Sequence, residues 1–358
     1  MKKVFFASML LMSAQGFAQT DSSRSPLTIS GYVETYYTYD LGEPGNHNRP
    51  GFIYSFNRHN EVNLNIGMIK AAYQKANVRA NLDLMAGTYP NANLAAEPGV
   101  LKNIFEANAG VKISKKSDLW IDGGIFASHI GFESAIGKDC WNLTRGILAD
   151  NSPYYESGAK ISYTSSNGKW FASALMLNGW QRIQRVDGNS TPAFGHQLTY
   201  KPSSKITLNS SSFIGNDKPD SSRQMRYFHN FYGIFQVNEK FGLTAGFDIG
   251  AEKKAKGSSS YNSWYTPVLI ARFSATAKDN IAVRGEYYND ENGVIIGTGT
   301  PNGFKTWGYS INYDRVVASN ILWRIEARGF SSKDEIFVKD NDPAKNNFFI
   351  TTSLSVAF

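Results

Sequence analysis

The sequence predicts an all-β fold, a transmembrane antiparallel up-and-down barrel of about sixteen strands. Three observations predict it. Side chains keep a period of two over long segments, tight turns alternate strictly with long polar connections, and the last strand ends in phenylalanine.

The period comes first because it sets the class. Leu27, Ile29, Gly31 and Val33 alternate with Thr28, Ser30, Tyr32 and Glu34, and Val78, Ala80, Leu82 and Leu84 with Asn77, Arg79, Asn81 and Asp83. Ile321, Trp323, Ile325 and Ala327 alternate likewise with Leu322, Arg324, Glu326 and Arg328. Successive strand residues point to opposite faces, so each segment has one apolar and one polar face. A soluble sandwich also alternates, and segment length separates the two. Phe241–Glu252 and Asn320–Ser331 are about twice the usual soluble strand of 5 to 6 residues, and roughly 9 to 11 tilted residues cross a bilayer.

The connections carry the strand count. Seven tight ones read at 74–76, 114–117, 165–169, 202–204, 238–239, 277–279 and 315–318. Eight longer polar ones lie around 41–57, 90–102, 128–153, 181–192, 216–224, 253–262, 291–303 and 332–345. That alternation predicts short periplasmic turns and long extracellular loops.

The closing strand, Asn346 to Phe358, places Phe348, Ile350, Thr352, Leu354, Val356 and Phe358 on one face. A final strand ending in Phe resembles the signal read by barrel-insertion machinery, which makes that machinery an expected partner through Phe358. Closure meets a physical demand, since an open edge in lipid leaves backbone groups unpaired at several kcal/mol each.

The amino terminus fixes the expected address. Lys2 and Lys3 precede an apolar run from Val4 to Met12, and Gly16-Phe17-Ala18 supplies small residues before Gln19. This order reads as a signal peptide over 1–18, too short to span as a helix. Residues 19–26 then form a short periplasmic segment and 27–358 the barrel, in the outer membrane of a Gram-negative bacterium and in contact with its lipid. No cysteine near the cleavage site supports a lipoprotein start.

Lys and Arg number 37 against 30 Asp and Glu; loss of Lys2 and Lys3 leaves 35 against 30, or +5. So mild an excess gives no case for nucleic-acid binding. Beyond the leader no apolar run is long enough for a spanning helix. Aromatics make up 14%, with 19 Tyr and 23 Phe. Those near strand ends (Tyr36, Tyr37, Tyr39, Trp120, Tyr154, Tyr155, Trp264, Tyr265, Tyr287, Tyr288) read as interfacial girdles, with carbohydrate stacking along a pore as the alternative.

Charges on the polar faces are expected to face water inside, because one at mid-bilayer on the lipid face costs about 2 to 4 kcal/mol. These are Arg79, Asp83, Arg284, Glu286, Arg324, Glu326 and Arg328. They would either set a transverse field across a pore or pair across strands and stiffen the wall. Arg272 shares a register with Val268 and Ile270 and is expected at the periplasmic rim, reaching head groups.

One loop carries a family resemblance. Ala127-Ser128-His129-Ile130-Gly131-Phe132-Glu133 is followed by Trp141-Asn142-Leu143-Thr144-Arg145-Gly146, then by Asn151-Ser152-Pro153-Tyr154-Tyr155-Glu156-Ser157-Gly158. The chain resembles the putative β-barrel porins called OmpL-like, with a Gly-hydrophobic-Glu element, an Arg-bearing stretch and a Pro-x-x-x-x-Gly element in that order. Leu143-Thr144-Arg145 departs from the Ser that often precedes this Arg. The resemblance covers effectively the whole chain and implies a diffusion channel for small hydrophilic solutes, without naming one. A homotrimer is one expected assembly and a monomer the other.

Sixteen to eighteen strands leave an aqueous lumen, and selection requires that it be narrowed. The connection 128–153, with Glu133, Lys138, Asp139, Arg145 and Asp150, is the expected constriction; an outward surface loop is the alternative.

Two other classes stay in view. A structural or adhesion barrel without an open channel shares the same wall pattern. A barrel-embedded hydrolase has little support: His47, His59, His129, His196 and His229 are scattered, and no Gly-x-Ser-x-Gly motif occurs. Adjacent Ser128 and His129 point to opposite faces of a strand. No metal or other cofactor is expected, and Cys140, alone, has no disulfide partner.

Overall fold

The computed structural model describes residues 25–358. The leader, its cleavage site and residues 19–24 lie outside the described residues.

Sixteen strands close into one barrel. The first eight are β1 (Leu27–Asp40), β2 (Val62–Lys75), β3 (Val78–Ala86), β4 (Ile104–Lys112), β5 (Asp118–Ala127), β6 (Tyr155–Thr164), β7 (Trp170–Leu177) and β8 (Ala193–Ser203). There follow β9 (Ile206–Gly215), β10 (Arg226–Gln236), β11 (Phe241–Lys253), β12 (Tyr261–Ser274), β13 (Asp279–Asp290), β14 (Phe304–Ala318) and β15 (Ile321–Ser332). A small hairpin, β16 (Phe337–Lys339) and β17 (Asp342–Ala344), interrupts the last connection before β18 (Asn346–Ala357). Every pairing is antiparallel between chain neighbours, and β18 meets β1 with Ala357 opposite Tyr32 and Phe349 opposite Asp40. Two short helices sit in connections, α1 (Thr88–Asn93) and α2 (Ile147–Asp150).

The brief connections fall at 76–77, 113–117, 165–169, 204–205, 237–240, 275–278 and 319–320. The last lies beyond the expected 315–318 because β14 continues to Ala318 through a bulge at Val316/Ala318. A bulge absorbs an extra residue without ending the ladder.

Side-chain parity sorts the faces. Leu82, Ile69, Leu269, Ile311 and Leu354 are exposed on the outer wall, while Asp83, Glu326 and Ser353 are buried inside. Toward the long connections the interior is packed. Phe52, Ile53, Ile130, Ile147, Ile296 and Phe337 from the connections close over inward-facing residues such as Phe213, Trp264, Phe330 and Phe349. A second cluster joins Ile66, Met68 and Met85 of the wall to Tyr89, Leu94, Ile136 and Ile183.

That packing corrects two expectations. Tyr36, Trp120, Tyr155, Trp264 and Tyr288 are buried inside the barrel and belong to no girdle, whereas Tyr265 is exposed on the outside. Arg272 also points inward with Val268 and Ile270, and its guanidinium lies 5.9 Å from the Trp141 ring. Both faces of β12 are apolar because Val268 and Ile270 pack against Leu148 and Ala149.

A loop latched inside the barrel

The connection from β5 to β6 (128–154) leaves one side of the barrel, crosses its interior and returns. Inward-facing glycines make room for it. A Cβ at Gly246 would stand 2.7 Å from the Phe132 ring, and one at Gly242 2.7 Å from the Trp141 ring. At the far side a Cβ on Gly137 would collide with the Glu34 carboxylate. The path is thus built for a loop lying flat on the wall.

Charges on β13, β14 and β15 hold it there. Arg284 stands opposite Ser310, and Ser310 opposite Arg328, so the two arginines share one row. Their carboxylates cross: Arg284 Nη2 lies 3.1 Å from Glu326 Oε1, and Arg328 Nη2 2.5 Å from Glu286 Oε1. Gly308 leaves the space through which Glu286 reaches.

All four then bond to the loop. Arg284 Nη1 donates to the Thr144 carbonyl (2.7 Å), and Arg328 Nη1 to the Arg145 carbonyl (2.6 Å). Glu326 accepts the Thr144 N–H (2.5 Å) and Glu286 the Ile147 N–H (2.6 Å). Arg324, paired with Asp314 at 2.6 Å, donates to the carbonyls of Gly137 (2.7 Å), Cys140 and Trp141 (3.0 Å each). Buried charge is tolerated only when paired and hydrogen-bonded, and Arg284, Glu286, Arg324, Glu326 and Arg328 each meet an opposite charge and a backbone group.

Arg284, Glu286, Arg324, Glu326 and Arg328 therefore face inward, but the loop covers them; their side chains are at most 1% exposed. This differs from the expectation that they face open water. The physical reason is the loop's own backbone, whose unpaired amides and carbonyls they satisfy.

The loop's charges divide in the same way. Glu133 accepts the Gly146 N–H (2.8 Å) and stands 3.8 Å from Arg284. Arg145, fully buried, donates to the carbonyls of Ser134, Ala135 and Leu143. Asp150 is buried in α2, and burial pushes its carboxyl up to about 7. Only Lys138 and Asp139, paired at 3.0 Å, reach the loop's accessible rim.

His129 binds elsewhere than Ser128. Its Nδ1 lies 2.8 Å from Glu156 Oε2 and its Nε2 2.8 Å from the Ser212 carbonyl, while Ser128 Oγ accepts the Ile130 N–H. No hydrolytic pair forms at this position. Among the described residues no group of three or more His, Cys, Asp or Glu is placed to hold a metal.

The opposite wall leaves its cations partly accessible, Lys70, Arg79 and Lys112 among them, over the buried carboxylates of Asp83 and Asp122. Lys70 meets Asp83 at 3.3 Å, and Lys112 meets Asp118 at 3.3 Å. Arg79 grips Asp122 with two bonds (2.6 and 2.5 Å) and lies 4.3 Å over Trp120. Arg79 and Asp83 thus face inward with different partners from each other. The Arg79 side chain is 31% exposed, against 0% for Arg324. Sequence reasoning passed over Lys70, Lys112, Asp118 and Asp122, although strand parity from Arg79 and Asp83 reaches them.

The family described as putative beta-barrel porin-2, OmpL-like, matches residues 26–358. No curated relative matches the sequence. Among solved structures, an anion-selective porin from Comamonas acidovorans superposes with a TM-score of 0.61 at 9% identity, over 93% of this chain and 99% of that one. OmpT, an outer membrane protein of Vibrio cholerae, gives 0.60 at 8% identity over 93% and 97%. The outer membrane channel DcaP of Acinetobacter baumannii gives 0.56 at 11% over 93% and 97%. At such identities the likeness is one of fold.

Proposed function

The chain belongs to the putative beta-barrel porin-2, OmpL-like family, and from that premise we propose that it passes small hydrophilic solutes by diffusion across the outer membrane of a Gram-negative bacterium. One observation carries the reading. A sixteen-strand wall, wide enough for an aqueous lumen, holds one loop against β13–β15 while Lys70, Arg79 and Lys112 stay accessible on the far side. The passage follows that far wall. Lys70, Asp83, Arg79, Asp122, Lys112 and Asp118 line it as neutralising pairs, with Lys138 and Asp139 of the loop opposite. Arg284, Glu286, Arg324, Glu326 and Arg328 act from behind the loop by fixing its position, with Glu133, Arg145 and Asp150 as its internal frame.

The short turns and both chain ends are assigned to the periplasm. Phe358, 71% exposed beyond β18, is available to the insertion machinery. A homotrimer is supported by the trimer form of the Vibrio cholerae OmpT structure.

The packed apolar interior near the long connections favours a second reading, a barrel that conducts only when a connection moves. Liposomes carrying the purified protein should swell in isosmotic solutions of small neutral sugars, more slowly as solute size rises. Folded protein that admits none of them would overturn the diffusion reading.

A further inference from the structure

The end of the barrel that carries the short turns is ringed by cations. Six of the seven short turns hold or adjoin a lysine: Lys75, Lys115 and Lys116, Lys169, Lys205, Lys240 and Lys278, all exposed. Register puts Lys75 opposite Val78, which is exposed on the outer wall. The seventh turn is flanked by Arg315, already bound to Asp279 at 2.6 Å, and Lys112 holds Asp118 at 3.3 Å. The seven lysines make no ion pair among the described residues, and Glu239 is the one carboxylate within the short turns. The whole chain carries a net charge of +7, so most of its positive excess stands at this end.

Outward aromatic side chains stand just inside this ring. Tyr163, Trp170, Phe273 and Trp323 are exposed on the outer wall within a few residues of the turns. The Trp170 and Tyr200 rings stack at 4.1 Å, and Trp323 meets Tyr313 at 5.9 Å. Such aromatic girdles mark the depth where acyl chains give way to head groups. The lysines beside them therefore lie at head-group depth, where each ammonium offers three donors to a phosphate.

We propose that this ring binds the head groups of anionic phospholipid in the leaflet around the turns, in preference to zwitterionic lipid. The spread of the charge selects lipid among possible neighbours. A protein partner would cover one arc of the barrel, whereas these lysines recur from β2 to β13, as a continuous layer of phosphates does. One lysine at such a layer gives about a fivefold preference for the anionic lipid beside it. The proposal rests on the outer wall lying in a bilayer and is independent of whether the lumen conducts.

Protein carrying Trp307→Phe keeps Trp170 and Trp323 as the exposed indoles of the described wall. It is reconstituted in phosphatidylcholine vesicles with brominated phosphatidylglycerol or brominated phosphatidylcholine as the quencher. Quenching should show about a fivefold preference for phosphatidylglycerol, lost in 1 M salt, where charges interact over only about 3 Å. Gln in place of all seven lysines should bring the two lipids level. Lys169→Gln with Lys205→Gln, beside Trp170, should lower the preference and serves if the larger variant does not insert. Equal quenching by the two lipids with the native ring, or a preference that survives the substitutions, would overturn the proposal and leave the bilayer reading intact. Binding to peptidoglycan sacculi through these lysines, without a lipid preference, would overturn it in favour of the cell wall. Quenching by neither lipid would remove the bilayer, and the proposal with it.

Discussion

Replacing Arg324 by Met removes the charge that ties one end of the interior loop to the wall. Arg324 is fully buried, gives three bonds to the carbonyls of Gly137, Cys140 and Trp141, and two to Asp314. Hydrogen bonds from a charged donor contribute about 1.5 to 3 kcal/mol each. Breaking one partner of a buried pair costs roughly 3 to 5 kcal/mol, because the other charge is stranded. At the lower end the displaced form of the loop gains a factor on the order of 10². Cys140 reports it without further engineering: the thiol is buried, and burial pushes its pKa up to about 11. A small maleimide reacts with it only when the loop leaves the wall, so the rate follows the displaced population. Arg324→Met should accelerate labelling about a hundredfold with the strand signal in circular dichroism unchanged. A native labelling rate in a folded variant would refute the latch.

Three further outcomes are expected. Asp150 takes its proton at about 7 in the buried loop against 3.8 for an ordinary Asp, so packing is favoured at low pH and weakens as pH rises through that window. Cys140 labelling should then speed up between pH 5 and 8 beyond the thiol's own titration, and Asp150→Asn should remove that excess; an equal profile in both would remove Asp150 from the latch. Lys70→Glu with Lys112→Glu should move the reversal potential across a salt gradient toward cations, since both line accessible space. An unchanged potential would place the path elsewhere. Epitope tags at Asn46 and Gly299 should be reachable on intact cells and one at Ser166 should not, and surface labelling at Ser166 would reverse the orientation.

The wall was legible because each strand meets two uniform environments. Leu82 against Arg79, or Ile325 against Glu326, declares its face with no knowledge of the rest of the chain. Parity also had more to say than was read from it: Trp264 and Tyr265 are adjacent, so one ring alone points outward, and the buried Thr266 and Val268 put Trp264 inside. What stayed hidden depends on contacts distant in sequence. Val268 and Ile270 look lipid-facing until Leu148 and Ala149 cover them. The inward direction of Arg284, Arg324 and Arg328 followed from local pattern, but their burial under Gly137–Ile147 did not. Their partners are backbone carbonyls, which carry no residue-type signature.

Diffusion of solutes as proposed needs an aqueous path across this barrel, with its width set by residues 128–154. Single-channel conductance in a planar bilayer, native protein beside a variant lacking Gly137–Gly146, tests it most directly. Discrete current steps from the native protein and larger steps from the deletion are the predicted result. Equal steps from both would make the loop irrelevant to the path, and no current from either, with both inserted, would contradict the channel itself.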